Sequence, residues 1–283
     1  QGVTDGEALA ALVAKHPAGS FAFAQTFPTG THALRLNYWL AANGIDPLRD
    51  VRTISVPPPQ MVLTCRLGRM HGFCVGEPWN QRGIADGVSF SVASSQDVWP
   101  DHPEKVLGTT AAWVAEYPNT ARALTAALLE ASRWIDASPA NKRHTAEVLA
   151  GRDFVDTDVE VIAGRMLGHY QDGLGRTWED AHPMAFFADG AVNFPYLSDA
   201  MWFMTQHRRW GMLKHDPDYL AVARKVNRID VYAQAAAAAG VGLPTSEMRS
   251  HRLMDGRVWD GSDPAAYAAS FPIRAHSAMA QPA

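Results

Sequence analysis

The feature that most restricts what this chain can fold into is an alternation of short apolar runs with helical patterns. Extended segments at 21–25, 51–56, 71–76 and 88–93 alternate with helical segments at 31–43, 58–68 and 78–86. Strands separated by helix-length crossovers pair in parallel and have both faces covered, so the spacing predicts an α/β unit around a parallel, helix-covered sheet. The punctuation agrees. Asn43-Gly44 stops the first crossover helix, and Pro57, Pro58 and Pro59 close the second strand and preset the next helix start. Proline fixes φ and lacks an N–H that a first helical turn leaves unpaired anyway.

Beyond about residue 95 the texture changes. Val106–Val114 reads as one more strand. Asn119 or Thr120 then caps an amphipathic helix with Leu124, Leu128, Ala131 and Ile135 on one face. Ser138-Pro139 opens another helix through Ala150. Residues 151–210 read as helix or loop with aromatic-rich linkers (Trp178, Phe186-Phe187, Phe194-Pro-Tyr196, Trp202-Phe203). Helices follow at 219–226 and 230–239, and the last forty residues read as turns and short strands. Short crossings near residues 20 and 95 suggest two lobes joined by a hinge, with a cleft between them. The expected division is a helix at 1–19 that leads into the hinge as part of the larger lobe, a smaller α/β lobe at 20–95, and the rest of a larger, helix-rich lobe at 96–283.

With 283 residues, 47% of them hydrophobic and 19% charged, the chain is long enough for two domains with a sizeable core. Its net charge of −4, without a basic run or aromatic–basic interleaving, argues against nucleic acid as a direct partner. No stretch approaches the ~18 apolar residues of a membrane span. Cys65 and Cys74 read as two buried thiols rather than a disulfide framework. The chain begins at Gln1 with neither an initiator Met nor a signal peptide, so a further N-terminal portion is expected. The common catalytic templates are missing: G-x-S-x-G, H-E-x-x-H, a Walker loop and G-x-G-x-x-G after a strand. The eleven histidines are scattered, and Asp101-His102-Pro103 and His215-Asp216-Pro217 read as solvated X-Pro turns. The expectation is a protein that is not an enzyme and holds neither cofactor nor metal.

Binding chemistry concentrates at three strand–helix junctions. In Thr26–His32 the first strand runs into a turn built on Pro28 and Gly30, and a helix opens near Thr31 and His32. Free backbone N–H groups and the positive dipole end suit an anion there, although the same residues also suit a capped helix with a structural histidine. Val56–Met61 and Phe73–Trp79 repeat the arrangement, with Gly76 allowing close backbone approach. In a parallel sheet such junctions share one edge, where ligands bind. Glu77 is unfavourable beside an anion and is expected in a salt bridge or capping its own helix. Lys105, in Asp101–Gly108, can supply counter-charge, or be a solvated lysine beside Glu104.

At these residues the chain resembles the nitrate- and bicarbonate-binding solute-binding proteins of ABC transporters. The resemblance runs from about 20 to 275 and rests on TFPTGTH (26–32), YWLAANGIDP (38–47), VPPPQM (56–61), GFCVGEPWN (72–80) and HPEKVLG (102–108), followed by MWF (201–203), RWG (209–211) and VNR (226–228). It implies a two-lobed, type II periplasmic-binding-protein fold that closes on a small oxyanion. It further implies a portion N-terminal to residue 1 that completes the larger lobe and adds ligand contacts. Carried over by position, His32 donates to the ligand with Thr31 beside it, Pro58 is a wall, Val75 and Gly76 give backbone contacts, and Lys105 is the counter-charge that nitrate binders use. Bicarbonate binders carry a carboxylate there and recruit a cation, so Lys105 favours nitrate or nitrite. The implied partners are an ABC permease and ATPase, and the implied location is periplasmic or membrane-anchored outside the cytoplasm. The alternatives are a cytoplasmic nitrate sensor with a regulatory protein partner, and a binder of bicarbonate or a small organic ligand.

Overall fold

A computed structural model describes residues 3–275. Helix α1 (Gly6–Val13) is capped by Asp5, whose carboxylate accepts from the Ala8 N–H at 2.8 Å. Strand β1 (Ala22–Gln25), helix α2 (Thr31–Ala42), strand β2 (Arg52–Ser55), a 3-10 turn at Pro58–Gln60, helix α3 (Met61–Arg66), strand β3 (Gly72–Phe73) and helix α4 (Trp79–Ala85) then follow. The three strands form one parallel sheet in the order β2-β1-β3. All four β1 residues are buried, as a central strand covered on both faces requires. Gly72 of β3 lies against the Phe23 ring, 2.9 Å from where a side-chain carbon would begin. The parallel α/β unit predicted from the alternation is therefore present, built from the first three of the four expected strands.

The fourth expected strand, 88–93, is not formed. Val88 and Ser89 both donate to the Gly83 carbonyl, closing the end of α4, and Ser91 donates to Asp172 at 2.8 Å, away from the sheet. Phe90 and Val92 are exposed, so their alternation with polar residues marks no core face. The expected strand at 106–114 is likewise not formed: residues 102–110 have no regular structure, and Thr110 caps helix α6 (Ala111–Glu116), which follows α5 (Ser95–Val98).

Helix α7 (Pro118–Asp136) begins slightly before the expected cap, with Pro118 as its first residue. Its buried positions are Ala121 and Leu129, whereas Leu124 and Leu128 are exposed. Leu129 packs with Tyr232, Ala235 and Ala236 of helix α12 (Ile229–Ala238), and that neighbour, rather than the apolar stripe, fixes the helix's rotation. Helix α8 (Pro139–Leu149) and helix α9 (Val159–Met166) pair around Ala146 and Ile162. An antiparallel hairpin of β4 (His169–Gln171) and β5 (Thr177–Glu179) follows within a stretch read as helix or loop.

Trp202, read as part of a linker, instead lies fully buried in helix α10 (Leu197–Arg209). With Trp99, Trp259, Tyr219 and Phe271 it builds an aromatic core that also takes in Tyr38 of α2. Helix α11 (Tyr219–Val226), strands β6 (His251–Arg252) and β7 (Val258–Trp259) and helix α13 (Pro264–Ala269) are the remaining elements of the described residues. The opposite face of α2, through Leu36 and Leu40, shares a separate core with Leu9 and Val13 of α1, although sequence alone groups 1–19 with the larger lobe. Helix α2 thus lies between two cores, and one end of it carries the candidate site. No described helix is long and apolar enough to cross a membrane.

Candidate functional site at the start of helix α2

Gly30 is the N-cap of α2 and, among the described residues, no side chain caps the helix, so the N–H groups of its first turn are not satisfied by a threonine hydroxyl. Thr26 serves the histidine instead: its Oγ1 lies 2.9 Å from His32 Nδ1. The loop between them is held from the far side by His207 of α10, whose Nε2 lies 3.1 Å from the Thr29 carbonyl. His32 Nε2 points towards Gly76, 3.4 Å from where a β-carbon there would stand, and towards Glu104 Oε1 at 4.0 Å. Burial holds the imidazole below its ordinary pKa, Glu104 opposes that, and Arg35 and Lys105 reinforce it.

Arg35, one turn after His32, is the buried cation of the site, with only 4% of its surface exposed. Its Nη1 donates to Glu104 Oε2 at 3.1 Å, and its Nη2 donates to the Pro103 carbonyl at 2.7 Å and to His102 Nδ1 at 2.6 Å. An Nδ1 that accepts from a guanidinium leaves the ring proton on Nε2, which lies 2.7 Å from Ser95 Oγ. Burial, then Arg35, pushes His102 down to about 4, so the ring is neutral at physiological pH. The Asp101-His102-Pro103 segment is therefore a fastened element rather than a solvated turn. Burial alone would raise Glu104, but Arg35 and Lys105 outweigh it and hold the carboxyl at about 2.

Of the residues singled out in the sequence, His32 and Gly76 face each other and Lys105 joins them through Glu104, to which its Nζ donates at 2.6 Å. The Lys105 side chain is otherwise 81% exposed. Thr31 is half-buried in the first turn of α2, and Pro58 is half-buried in the 3-10 turn after β2. Val75 is buried, and its carbonyl accepts from Asn80 Nδ2 at 2.6 Å. Glu77 takes both expected roles: its carboxylate pairs with Arg165 Nε at 3.2 Å and accepts from the Gln81 N–H at 3.1 Å. Cys65 and Cys74 are free and half-buried, and burial pushes the Cys74 thiol up to about 11.

Sequence reasoning missed Arg35 and His102. The i, i+3 spacing of His32 and Arg35 on α2 was the available signal, since such residues share a helix face. Among the described residues, no group of three or more His, Cys, Asp or Glu is placed to hold a metal ion. An open depression of about 430 Å³ lined by Gln81, Tyr170, Trp178 and Glu179 contains none of the residues gathered around His32.

Comparison with known proteins bears on the family and the fold. The profile of the NMT1-like family matches residues 1–150. The nitrate/nitrite binding protein NrtA of Synechocystis sp. is 39% identical over 256 residues, covering 89% of this chain and 57% of its own length. The nitrate import ATP-binding protein NrtC of the same organism is 35% identical over 277 residues, covering 96% of this chain and 40% of its own. This chain thus spans little more than half of NrtA. The crystal structure of the periplasmic nitrate-binding protein NrtA from Synechocystis PCC 6803 superposes with a TM-score of 0.89 at 38% identity, covering 95% of this chain and 71% of that one. The parallel unit, the helical remainder and the match through residues 1–150 meet in one conclusion: the chain belongs to the NMT1-like family and has the two-lobed α/β fold of a type II periplasmic binding protein.

Proposed function

We propose that this chain binds a small oxyanion, nitrate or nitrite, at the start of α2, and that it delivers the ion to an ABC permease and ATPase outside the cytoplasm. The observation that carries the reading is the gathering of Arg35, Lys105 and His32 around the Glu104 carboxylate, with His32 also facing Gly76. With Glu104 included the formal charge there is +1, the complement of a monoanion. A Thr26 hydroxyl that donates to Nδ1 leaves the His32 proton on Nε2, where it can be given to a ligand. Thr31, Pro58 and the backbone at Val75 and Gly76 form the rest of this wall, and the site lies between an α/β lobe at 20–95 and a helical lobe at 96–283. Binding without chemistry is the activity. The names of NrtA and NrtC support both the ligand and the partner, and the periplasmic NrtA supports the location.

Micromolar affinity corresponds to about −8 kcal/mol. Two or three charge-assisted hydrogen bonds at about 1.5–3 kcal/mol each, with up to ~2 kcal/mol from the helix terminus, gross about that much. Every donor therefore matters. Calorimetric titration with nitrate, nitrite and bicarbonate, with and without calcium, tests the reading. His32→Ala is expected to weaken nitrate binding by about 1–3 kcal/mol. One observation favours a second reading: Glu104 places a carboxylate 4.0 Å from His32, the group a bicarbonate binder uses with a cation. Calcium-dependent bicarbonate binding with none for nitrate would establish that alternative and refute the first.

A further inference from the structure

The donors around His32 are already held by an anion, and that anion belongs to the chain. Glu104 Oε1 accepts from Lys105 Nζ at 2.6 Å and stands 4.0 Å from His32 Nε2, while Oε2 accepts from Arg35 Nη1 at 3.1 Å. A carboxylate is a planar, delocalised oxyanion with the same appetite for N–H donors as nitrate or nitrite. We propose that Glu104 is a tethered competitor for the oxyanion site: ligand binds by displacing its carboxylate from His32, Arg35 and Lys105, so that this side chain sets the affinity. The proposal rests on the oxyanion reading given above.

Three features of the surroundings make the exchange physically sound. First, Arg35 stays where it is when Glu104 leaves, because its Nη2 remains bonded to the Pro103 carbonyl and to His102 Nδ1. The Nη1 donor is freed without disturbing the fastening of the chain. Arg35 Nε is also buried and, among the described residues, lacks a hydrogen-bond partner. The guanidinium therefore has more donor capacity than Glu104 uses.

Second, Glu104 is the movable member of the set. It lies in 102–110, which has neither helix nor strand, and its side chain is 39% exposed. Rotating it towards solvent breaks no ladder of backbone hydrogen bonds. His32 and Arg35, in contrast, are fixed on one helix. Third, the electrostatics require an exchange rather than an addition. A nitrate beside an ionised Glu104 in a half-buried site would face like-charge repulsion at contact distance, which the remaining +2 of Arg35 and Lys105 would be divided to offset. Displacement gives the whole of that charge to the ligand. A competitor on the same chain acts at a fixed effective concentration, so it lowers the apparent affinity without changing the contacts the ligand finally makes.

The test uses the full chain, with nitrate titrated by calorimetry into the wild type, Glu104→Gln and Glu104→Asp, and with thermal unfolding recorded with and without nitrate. The Gln variant keeps the shape and loses the charge, and it is expected to bind nitrate about tenfold more tightly. Without ligand it leaves Arg35 without a counter-ion, so nitrate is expected to raise its Tm by more than it raises the wild type's. Glu104→Asp, whose carboxylate is one methylene further from Arg35, serves if Glu104→Gln fails to fold, and is expected to bind more tightly than the wild type by a smaller factor. His32-dependent nitrate binding in the wild type that is unchanged or weaker in both variants overturns the competitor and leaves the oxyanion reading standing. Binding that requires calcium in the wild type and is lost in Glu104→Gln makes Glu104 a cation ligand and overturns it too. Absence of nitrate binding in the wild type and in both variants overturns the oxyanion reading itself.

Discussion

Replacing Arg35 with methionine is the most informative perturbation of the fold, because this one side chain makes three polar contacts from α2 to the 102–104 segment. Methionine keeps the stem and removes the guanidinium. Charge-assisted hydrogen bonds at about 1.5–3 kcal/mol each would sum to about 4.5–9 kcal/mol if they were independent. They are not, because the guanidinium was itself desolvated at a cost; breaking one side of a buried ion pair typically removes about 3–5 kcal/mol. Glu104 can turn to water, being 39% exposed, whereas His102 and the Pro103 carbonyl lose a donor in a more enclosed place. The expected loss is therefore near the low end, about 3 kcal/mol at pH 7.

Urea unfolding with an unchanged m-value reads that loss directly. The pH dependence gives an independent check. Glu104 is held at about 2 against an ordinary 4.5, so its contribution is present above 4.5 and is lost as pH falls towards 2. Without Arg35 the main cause of that depression is gone. The deficit of Arg35→Met relative to the wild type should thus be greatest near neutrality and shrink below pH 4.5. A deficit under about 1 kcal/mol, or one that stays constant between pH 6 and 3, would refute the account of Arg35 as the charged fastening of this segment.

Three further outcomes are expected. Leu129→Ala should cost about 2–5 kcal/mol by urea unfolding, whereas Leu124→Ala, on the exposed stripe of the same helix, should cost less than about 1 kcal/mol; equal costs would mean that α7 presents its other face to the core. His102 and His251 are each pushed down to about 4, chiefly by burial, so the unfolded chain binds more protons than the folded one between about 4 and 6.5. Stability should decline as pH falls through that window, and imidazole resonances that titrate at an ordinary 6.5 would contradict it. Gly72→Ala places a β-carbon 2.9 Å from Phe23 Cε1 and should destabilise the sheet by about 1–3 kcal/mol, measured as a lowered Tm; an unchanged Tm would show that Phe23 can move aside.

Much of the α/β unit was legible because its signals are local. Turn residues, proline positions and apolar runs within a few residues of each other set β1, α2, β2 and α4 to within a residue or two of their expected limits. The failures share a cause. Val88, Phe90 and Val92 alternate as a strand would, yet the Gly83 carbonyl and Asp172 take the backbone donors that a fourth strand needs. Leu124, Leu128 and Ala131 form a valid helical stripe, but periodicity describes a helix relative to itself. Which arc is buried depends on the partner, and the small Ala235 and Ala236 of α12 admit Leu129 instead. Trp202 looked like a linker because its helix is polar on average, although its ring is the centre of the aromatic core.

The site divides along the same line. His32, Gly76 and Lys105 could be singled out as candidates because each stands in a short string with local meaning, and the salt bridge and cap of Glu77 could be expected because a carboxylate is unfavourable beside an anion. The pairing of Arg35 with Glu104 spans 69 residues, and that with His102 spans 67, through a segment without periodicity. Its only trace in sequence is the one-turn spacing of Arg35 from His32. That trace carries a physical consequence. A buried arginine near the start of a helix cannot stay unpaired, so some carboxylate or carbonyl of the chain must reach it. Once Glu104 does so, the site is no longer a lysine and a histidine waiting for an anion. It is a set of charges, +1 in sum, in which Glu104 already occupies Arg35 and Lys105, and on the proposed reading an oxyanion has to offer them more than that carboxylate does.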